Sequence, residues 1–492
     1  MSLLSAKMEC VGEHAQVLYS MMLEKSQLEP QVFNMLLIVV TICLGLIVAK
    51  LLVGKSKKTG CYVADFAVAH PDDKWKSPHQ VTFEKMAQAN FFNDEVLVFQ
   101  GKMLERAGLG DETYAPPCIH EMKPSRAGAY EELGISVIPP IDELLARQKI
   151  SAKDIDFLVV NCSLFCPTPS ISAWIVNHYK MPSKVRTFQI GGMGCSASMI
   201  GVDLIQELLR VHPDKKALLI STENISMNWY EGNEYSMVLQ NVLFRMGGAA
   251  ILLTGRKTKS SRYELKHLVR THHGRIQNSF DCVVQKPDAE GNIGVHLTKD
   301  VPKAAGKAIE DNIGILGRQV LPLSEKLKFA WYNMVLPKLG RKTTMYTPNF
   351  RKAIDNFCIH TGGRAVIDTV QKNLSLTDRD VEASRATLYR YGNTSSSSVW
   401  YEMAYAENHR MIKPGNMIWQ IAFGSGFKAN SAVWRALPGC KKNRHLFVKN
   451  QPQWKYDPTK EGFGKPPALK FAPKYQKIIE AHRKRKAAAE KH

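Results

Sequence analysis

The sequence predicts a layered α/β fold of two similar halves, preceded by a membrane-spanning helix. Three observations carry this. Strand-like and helix-like runs alternate between 156 and 254, the pattern of helices packed on sheets. A second series between 263 and 437 repeats the theme, with glycine-containing turns after its strands. Ahead of both, 32–53 is apolar apart from Asn34, Thr41 and Lys50, and about 20 such residues cross a bilayer. A chain of 492 residues also exceeds what one small core serves, so two core-sized units with extensions are expected.

Taken in order, 1–31 is a short mixed N-terminal segment and 32–53 is the expected transmembrane helix. Lys50, Lys55, Lys57 and Lys58 crowd its C-terminal flank, whereas Lys25 is the one base in the fifteen residues before it. The positive-inside rule then faces everything after 53 to the cytosol. Region 54–110 holds a linker over 61–76 and a helical stretch over 81–108. The first half, 111–256, opens with an irregular loop over 111–124. A helix over 127–147 follows, broken by Pro139 and Pro140. Strands come next at 156–161, 186–190, 216–221 and 247–254, with helices at 170–180 and 196–211. The second half, 257–440, has strands at 263–272, 357–360, 417–423 and 431–437 and helices at 365–374 and 397–404. Between them, 321–339 interleaves Leu, Phe, Trp, Met and Val with Lys326, Lys328 and Lys338. That pattern suits a membrane surface or an ordinary half-buried helix.

The net charge is +21. The tail, 441–492, carries fifteen Lys or Arg against four Asp or Glu. It reads as a solvated basic extension or as attraction for anionic headgroups. No zinc-finger, helix-turn-helix or RNA-recognition pattern accompanies the charge, so nucleic acid is not an expected partner. Ten cysteines are scattered without paired spacing and read as reduced thiols facing the cytosol. Cys162 and Cys166 lack the further ligands of a zinc site, so no metal is expected.

The candidate chemistry starts at Cys195, in Gly191-Gly192-Met193-Gly194-Cys195-Ser196, where the strand over 186–190 turns into the helix over 196–211. Glycines permit the sharp turn. Peptide N–H groups at a helix start favour a thiolate and can hold a developing oxyanion. The alternative is a buried structural cysteine. His360, before Gly362-Gly363, and Asn393, after Gly392, stand at the same kind of place: a strand end, a glycine turn and a helix. An imidazole and an amide can both donate to one oxygen. Taken singly, each is more often a structural histidine or a turn residue.

Several stretches together are specific. They include Val159-Val160-Asn161-Cys162, Ser221-Thr222-Glu223-Asn224, Asn228-Trp229-Tyr230, Phe244-Arg245-Met246-Gly247-Gly248 and Val269-Arg270-Thr271-His272. With the Cys195, His360 and Asn393 motifs, they make the chain resemble the membrane-bound 3-ketoacyl-CoA synthases of plants and algae. Those are the condensing enzymes of very-long-chain fatty acid elongation. The resemblance runs from about 62 to about 437. It implies a thiolase-like, five-layered fold of two related halves, usually dimeric, and a triad of Cys195, His360 and Asn393. It further implies a supporting His272 and an oxyanion loop at Gly424, Ser425 and Gly426. The implied substrates are acyl-CoA and malonyl-CoA, with no metal or redox cofactor. The implied setting is the endoplasmic reticulum membrane, with the catalytic body in the cytosol. A ketoacyl reductase, a dehydratase and an enoyl reductase are the expected functional partners. A long acyl chain needs an apolar channel, for which Trp229, Met237 and Leu239 are the candidates. One span where many members show two, and a longer basic tail, are departures. A non-catalytic scaffold, or a polyketide-type or hydroxymethylglutaryl-CoA-type synthase, are the rival readings.

Overall fold

The computed structural model describes residues 60–339, 341, 346–441, 445 and 473–489, with scattered residues between 20 and 42. Two units separate, Met1–Thr59 and Gly60–His492. The span expected over 32–53 falls mostly outside the described residues. Its described members are helical, and Leu37, Ile38 and Val40 among them are exposed. Among the described residues no helix is long and apolar enough to cross a membrane.

The second unit opens with β1 (Tyr62–Val68), α1 (His79–Gln88), α2 (Asp94–Arg106), α3 (Arg126–Gln148), β2 (Phe157–Asn161) and α4 (Ile171–Tyr179). Then come β3 (Arg186–Ile190), α5 (Ala197–Val211), β4 (Lys216–Glu223), α6 (Tyr235–Leu243), β5 (Gly247–Thr254) and β6 (Tyr263–His272). A separate hairpin, β7 (Val283–Pro287) and β8 (Ile293–Leu297), leads to α7 (Val301–Val320) and α8 (Leu323–Ala330). The chain continues through β9 (Asn356–Ile359), α9 (Arg364–Asn373), α10 (Glu382–Tyr391) and α11 (Ser398–Asn408). It ends with β10 (Met417–Gly424), β11 (Lys428–Ala436) and α12 (Pro473–Ala489).

Nine strands form one mixed sheet in the order β3-β2-β4-β5-β1-β6-β11-β10-β9. The halves meet at β1, which pairs antiparallel with both β5 and β6. The expected linker over 61–76 is therefore corrected: it contains a wholly buried strand. Asp65 in its middle disguised it. That carboxylate is paired with Arg147 (3.2 Å) and Arg262 (3.5 Å), which is how a buried charge is tolerated.

Side chains alternate across each strand and so build the layers. Leu158, Val160, Leu218 and Ile220 face outward under α3 and α4. Val159 and Leu219 face the middle layer, made by α5 and α11. Ile418, Ala422 and Trp434 pack on that layer from the other side. Trp419 and Val433 point away again, beneath α7. Helix, strand, helix, strand and helix layers result.

Two further expectations are corrected. α3 runs unbroken through Pro139 and Pro140. Its apolar face, including Leu133, Val137, Ile141 and Leu144, is fully buried, and that packing outweighs the missing N–H bonds. It lies so close to β5 that a Cβ on Gly248 would strike the Ser136 carbonyl oxygen. The basic tail is also not wholly solvated. α12 docks on α1 and α2, with the Tyr475 ring packed at a tilt on Phe83 (4.6 Å), His482 Nδ1 bonded to Ala87 O (2.7 Å) and Arg483 paired with Asp94 (2.6 Å).

Candidate active site

Between β3 and α5 the chain passes through the left-handed region at Gly192 (φ +65°) and Gly194 (φ +67°), which glycine alone adopts at little cost. Cys195 sits on the single 3₁₀ turn Gly194–Ser196 that follows. The turn joining β10 to β11, Gly424 to Gly426, lies directly on that backbone. A Cβ on Gly424 would come within 2.6 Å of the Cys195 nitrogen, and one on Gly194 within 2.7 Å of the Ser425 nitrogen. Bare backbone from both halves thus meets at the Cys195 N–H. Lys428 steadies the upper turn by donating to Ser425 O at 2.6 Å, and Gly194 N donates to Ser163 Oγ at 2.9 Å.

A hydroxyl links the thiol to a buried acid. Ser395 Oγ lies 3.5 Å from Cys195 Sγ and 3.0 Å from Glu223 Oε2. Glu223, at the end of β4, also accepts from Ser163 N (3.0 Å), Leu164 N (2.8 Å) and the Cys162 thiol (3.3 Å). Burial raises the Glu223 carboxyl above the usual carboxylate range. Cys195 keeps part of its surface exposed, yet desolvation by the packing around it pushes the thiol up to about 12; the Ser395 bond opposes the rise and the Glu223 charge adds to it. The expected lowering of this thiol by a helix start is therefore corrected. Desolvation outweighs the few N–H groups nearby, so the resting form is the thiol.

His360 follows β9 and is buried. Its Nδ1 shares a 2.7 Å hydrogen bond with Ser398 Oγ at the start of α11, and its ring meets Phe423 edge-on at 5.4 Å. Burial drops its pKa to about 3, so the imidazole is neutral. In the tautomer whose Nδ1 accepts from the Ser398 hydroxyl, Nε2 keeps the ring proton and is the donor. Among the described residues no hydrogen bond joins His360 to Cys195.

Asn393 does not follow a strand, as expected, but helix α10 and Gly392 (φ +67°). Tyr391, a strand-favouring residue, is buried on that helix instead. Its Oδ1 accepts from Ser395 N at 2.9 Å. Its backbone pairs with the end of α6, Asn393 N donating to Leu243 O (3.1 Å) and Arg245 N donating to Asn393 O (3.0 Å). Thr361 Oγ1 donates to Gly392 O at 3.0 Å and ties the His360 turn to the Asn393 turn.

The remaining candidates fall at different places. His272 is exposed at the end of β6, opposite Lys428, and its Nδ1 accepts from Gly274 N at 2.9 Å. Two narrow cavities share Ile225, Trp229, Asn241 and Phe244. One touches Leu164 and Asn228, and the other reaches Lys85 and His120. Trp229 lines both. Met237 is buried in the core and Leu239 is half-buried, and neither lines these cavities. Sequence reasoning missed Glu223, Ser395, Ser398 and Lys428. An acid closing an apolar strand was the available signal for Glu223. The serines stood in a run read only as a helix start. Among the described residues no group of three or more His, Cys, Asp or Glu side chains converges as metal ligands would.

A family model described as FAE1/Type III polyketide synthase-like protein matches residues 53–339. One for the C-terminal part of 3-oxoacyl-[acyl-carrier-protein (ACP)] synthase III matches 350–436. The chain is 45% identical over 443 residues to 3-ketoacyl-CoA synthase 4 of Arabidopsis thaliana, covering 88% of this chain and 85% of that one. It is 48% identical over 391 residues to 3-ketoacyl-CoA synthase 9 of the same plant, covering 78% and 76%. The chain belongs to the 3-ketoacyl-CoA synthase family. Among solved structures this family member resembles PKS-I from the brown alga Ectocarpus siliculosus, with a TM-score of 0.60 and 19% identity over 78% of this chain and 100% of that one. It also resembles 1,3,6,8-tetrahydroxynaphthalene synthase from Streptomyces coelicolor A3(2), with a TM-score of 0.61 and 20% identity over 76% and 99%. At such identities the likeness speaks for the fold, the thiolase-like arrangement of type III polyketide synthases.

Proposed function

We propose that this chain is a 3-ketoacyl-CoA synthase that joins a long-chain acyl-CoA to malonyl-CoA by decarboxylative condensation. The observation that carries the reading is the meeting of four turns. Those of His360 and Asn393 are tied to each other, and that of Cys195 lies under Gly424. The Cys195 sulfur attacks the acyl-CoA thioester carbon, its proton leaves with the CoA thiol, and an acyl-Cys195 thioester remains. Because burial holds the thiol protonated, its proton must move as the sulfur attacks; the Ser395 hydroxyl touches that sulfur and also bonds Glu223. The oxyanion of each tetrahedral intermediate rests on the Cys195 N–H beside the 424–426 turn. Malonyl-CoA then loses CO₂. His360 Nε2–H and the Asn393 amide stabilise the enolate oxygen, a role that a neutral imidazole fills without giving up its proton. The enolate carbon attacks the acyl-Cys195 carbon, forming the C–C bond and expelling the thiolate, which takes a proton from solvent. Decarboxylation supplies the carbanion, so the chemistry calls for neither a metal nor a redox cofactor.

In this reading the apolar stretch 32–53 anchors the enzyme in the endoplasmic reticulum membrane, with the catalytic unit in the cytosol, as the flanking lysines argue. It works as a homodimer beside the reductases and dehydratase that would complete an elongation cycle. The test is product analysis from labelled malonyl-CoA and a panel of acyl-CoAs. One condensation per acyl chain, giving a 3-ketoacyl-CoA, is expected. Products of several successive condensations would assign a polyketide-type activity instead.

A further inference from the structure

The helical run 323–338 is built inside out. Its polar side chains hold it to the body of the protein. Glu325 is buried and accepts from Lys352 Nζ (2.6 Å), Tyr346 OH (2.5 Å) and Asn349 N (3.0 Å). Asn333, two turns on, exchanges hydrogen bonds with the backbone of Tyr346 at 2.7 and 2.9 Å. The opposite face is apolar and, among the described residues, uncovered. Leu323, Leu327, Trp331, Val335 and Leu339 recur every fourth residue and are 36–69% exposed. Phe329 and Met334 widen the ridge, as does the edge of Tyr332, whose ring stacks on Tyr346 at 5.5 Å. Trp331–Val335 is a π-helical turn, and its wider winding opposes the drift that an i, i+4 row makes round a straight α-helix. A surface helix of a soluble body shows the reverse pattern, and a contiguous exposed apolar patch marks an interaction site.

Charge indicates what covers this ridge. Lys326, Lys328, Lys338 and Arg341 flank it, and between 321 and 341 the one acidic residue is Glu325, already buried and paired. An apolar ridge, two aromatic rings able to sit at headgroup depth and a cationic border together match an anionic bilayer surface. We propose that residues 323–341 seat the catalytic unit on an anionic membrane surface, as a contact separate from the N-terminal apolar stretch. This does not depend on the reaction assigned above.

The test uses full-length protein with vesicles of phosphatidylcholine, alone or with phosphatidylserine, prepared with and without brominated acyl chains. The fluorescence of Trp331 is the difference between the wild type and Trp331→Phe. Brominated chains should quench at least about half of that difference, as expected for an apolar face sunk into the headgroup–acyl boundary. The quenching should increase with phosphatidylserine. It should fall in a Lys326→Gln, Lys328→Gln, Lys338→Gln variant, whose unchanged melting temperature would show an intact fold. Absence of quenching would overturn the proposal. If Trp331 is instead shielded from aqueous acrylamide without lipid quenching, a second protein surface covers the ridge and the bilayer assignment is wrong.

Discussion

Adding one methyl group at Gly424 should disable the enzyme while leaving its fold. The Cβ would stand 2.6 Å from the Cys195 nitrogen, 3.0 Å from the Gly194 carbonyl carbon and 3.2 Å from the Ser196 nitrogen. Ordinary contact begins at 3.4 Å, so the closest pair falls short by 0.8 Å, and every atom met is backbone. No flexible side chain can yield, and the two turns must separate by about that distance. A displacement of about 1 Å in a catalytic group costs about 100-fold, and loss of an oxyanion donor about 10²–10³-fold. Gly424→Ala should therefore slow condensation about 10²–10³-fold, equivalent to about 3–4 kcal/mol of barrier. The overpacking should cost about 1–3 kcal/mol of stability, which leaves a folded protein. Acyl transfer to Cys195 should fall in parallel, because its tetrahedral intermediate uses the same N–H. Release of labelled CO₂ from malonyl-CoA should fall much less, because it depends on His360 and Asn393. Gly134→Ala, whose methyl would meet nothing within 4 Å, is the control. A Gly424→Ala enzyme that acylates and condenses at the wild-type rate would refute the assignment of this turn to the oxyanion.

Three other outcomes follow from the site. Cys195→Ala should abolish condensation yet still decarboxylate malonyl-CoA, whereas His360→Ala and Asn393→Ala should each lose about 10²–10³-fold in CO₂ release. The reverse pattern would redistribute the roles. Since Cys195 is held up to about 12, its alkylation by iodoacetamide should rise about tenfold per pH unit from 7 to 10 without a plateau, and Glu223→Gln should speed it at fixed pH by removing a charge that raises the thiol. A plateau below pH 8 would contradict the burial argument. Ile225→Trp, on the wall of both cavities, should shorten the products, whereas Met237→Trp should only lower the melting temperature. Shortened products from Met237→Trp would place the channel elsewhere.

Much of the architecture was legible in the chain. The strands at Arg186–Ile190, Gly247–Thr254 and Tyr263–His272 coincide with their expected bounds, because each is a run of strand-favouring residues bounded by turns. β1 was not legible, because Asp65 interrupts its apolar pattern and its ion-pair partners Arg147 and Arg262 are remote in sequence. Neither was the continuity of α3, because two prolines contradict the helix locally and only burial of its apolar face restores it. The docking of α12 was equally hidden, since a stripe of Tyr475, Ile479 and His482 is sparse among lysines and arginines. In the candidate site, Cys195, His360 and Asn393 were singled out by their glycine turns, and their roles came from the family resemblance. Glu223, Ser395 and Lys428 were not, since an acid, a serine and a lysine declare no role until a neighbour is known.

The sequence by itself determined which residue types stand at strand and helix ends, where the glycines release the backbone, and that the stretch 321–339 mixes apolar and basic side chains. These are local properties, fixed by periodicity and by single-residue conformational preference. Only the tertiary structure decided what surrounds each of them. Burial, not the helix start, sets the Cys195 thiol, because desolvation depends on the packing of the middle layer and not on the adjacent sequence. Contact between Gly194 and Gly424 is made by turns 230 residues apart. The outward direction of the Leu323–Leu339 ridge follows from Glu325 and Asn333 finding their partners on a segment that begins beyond it.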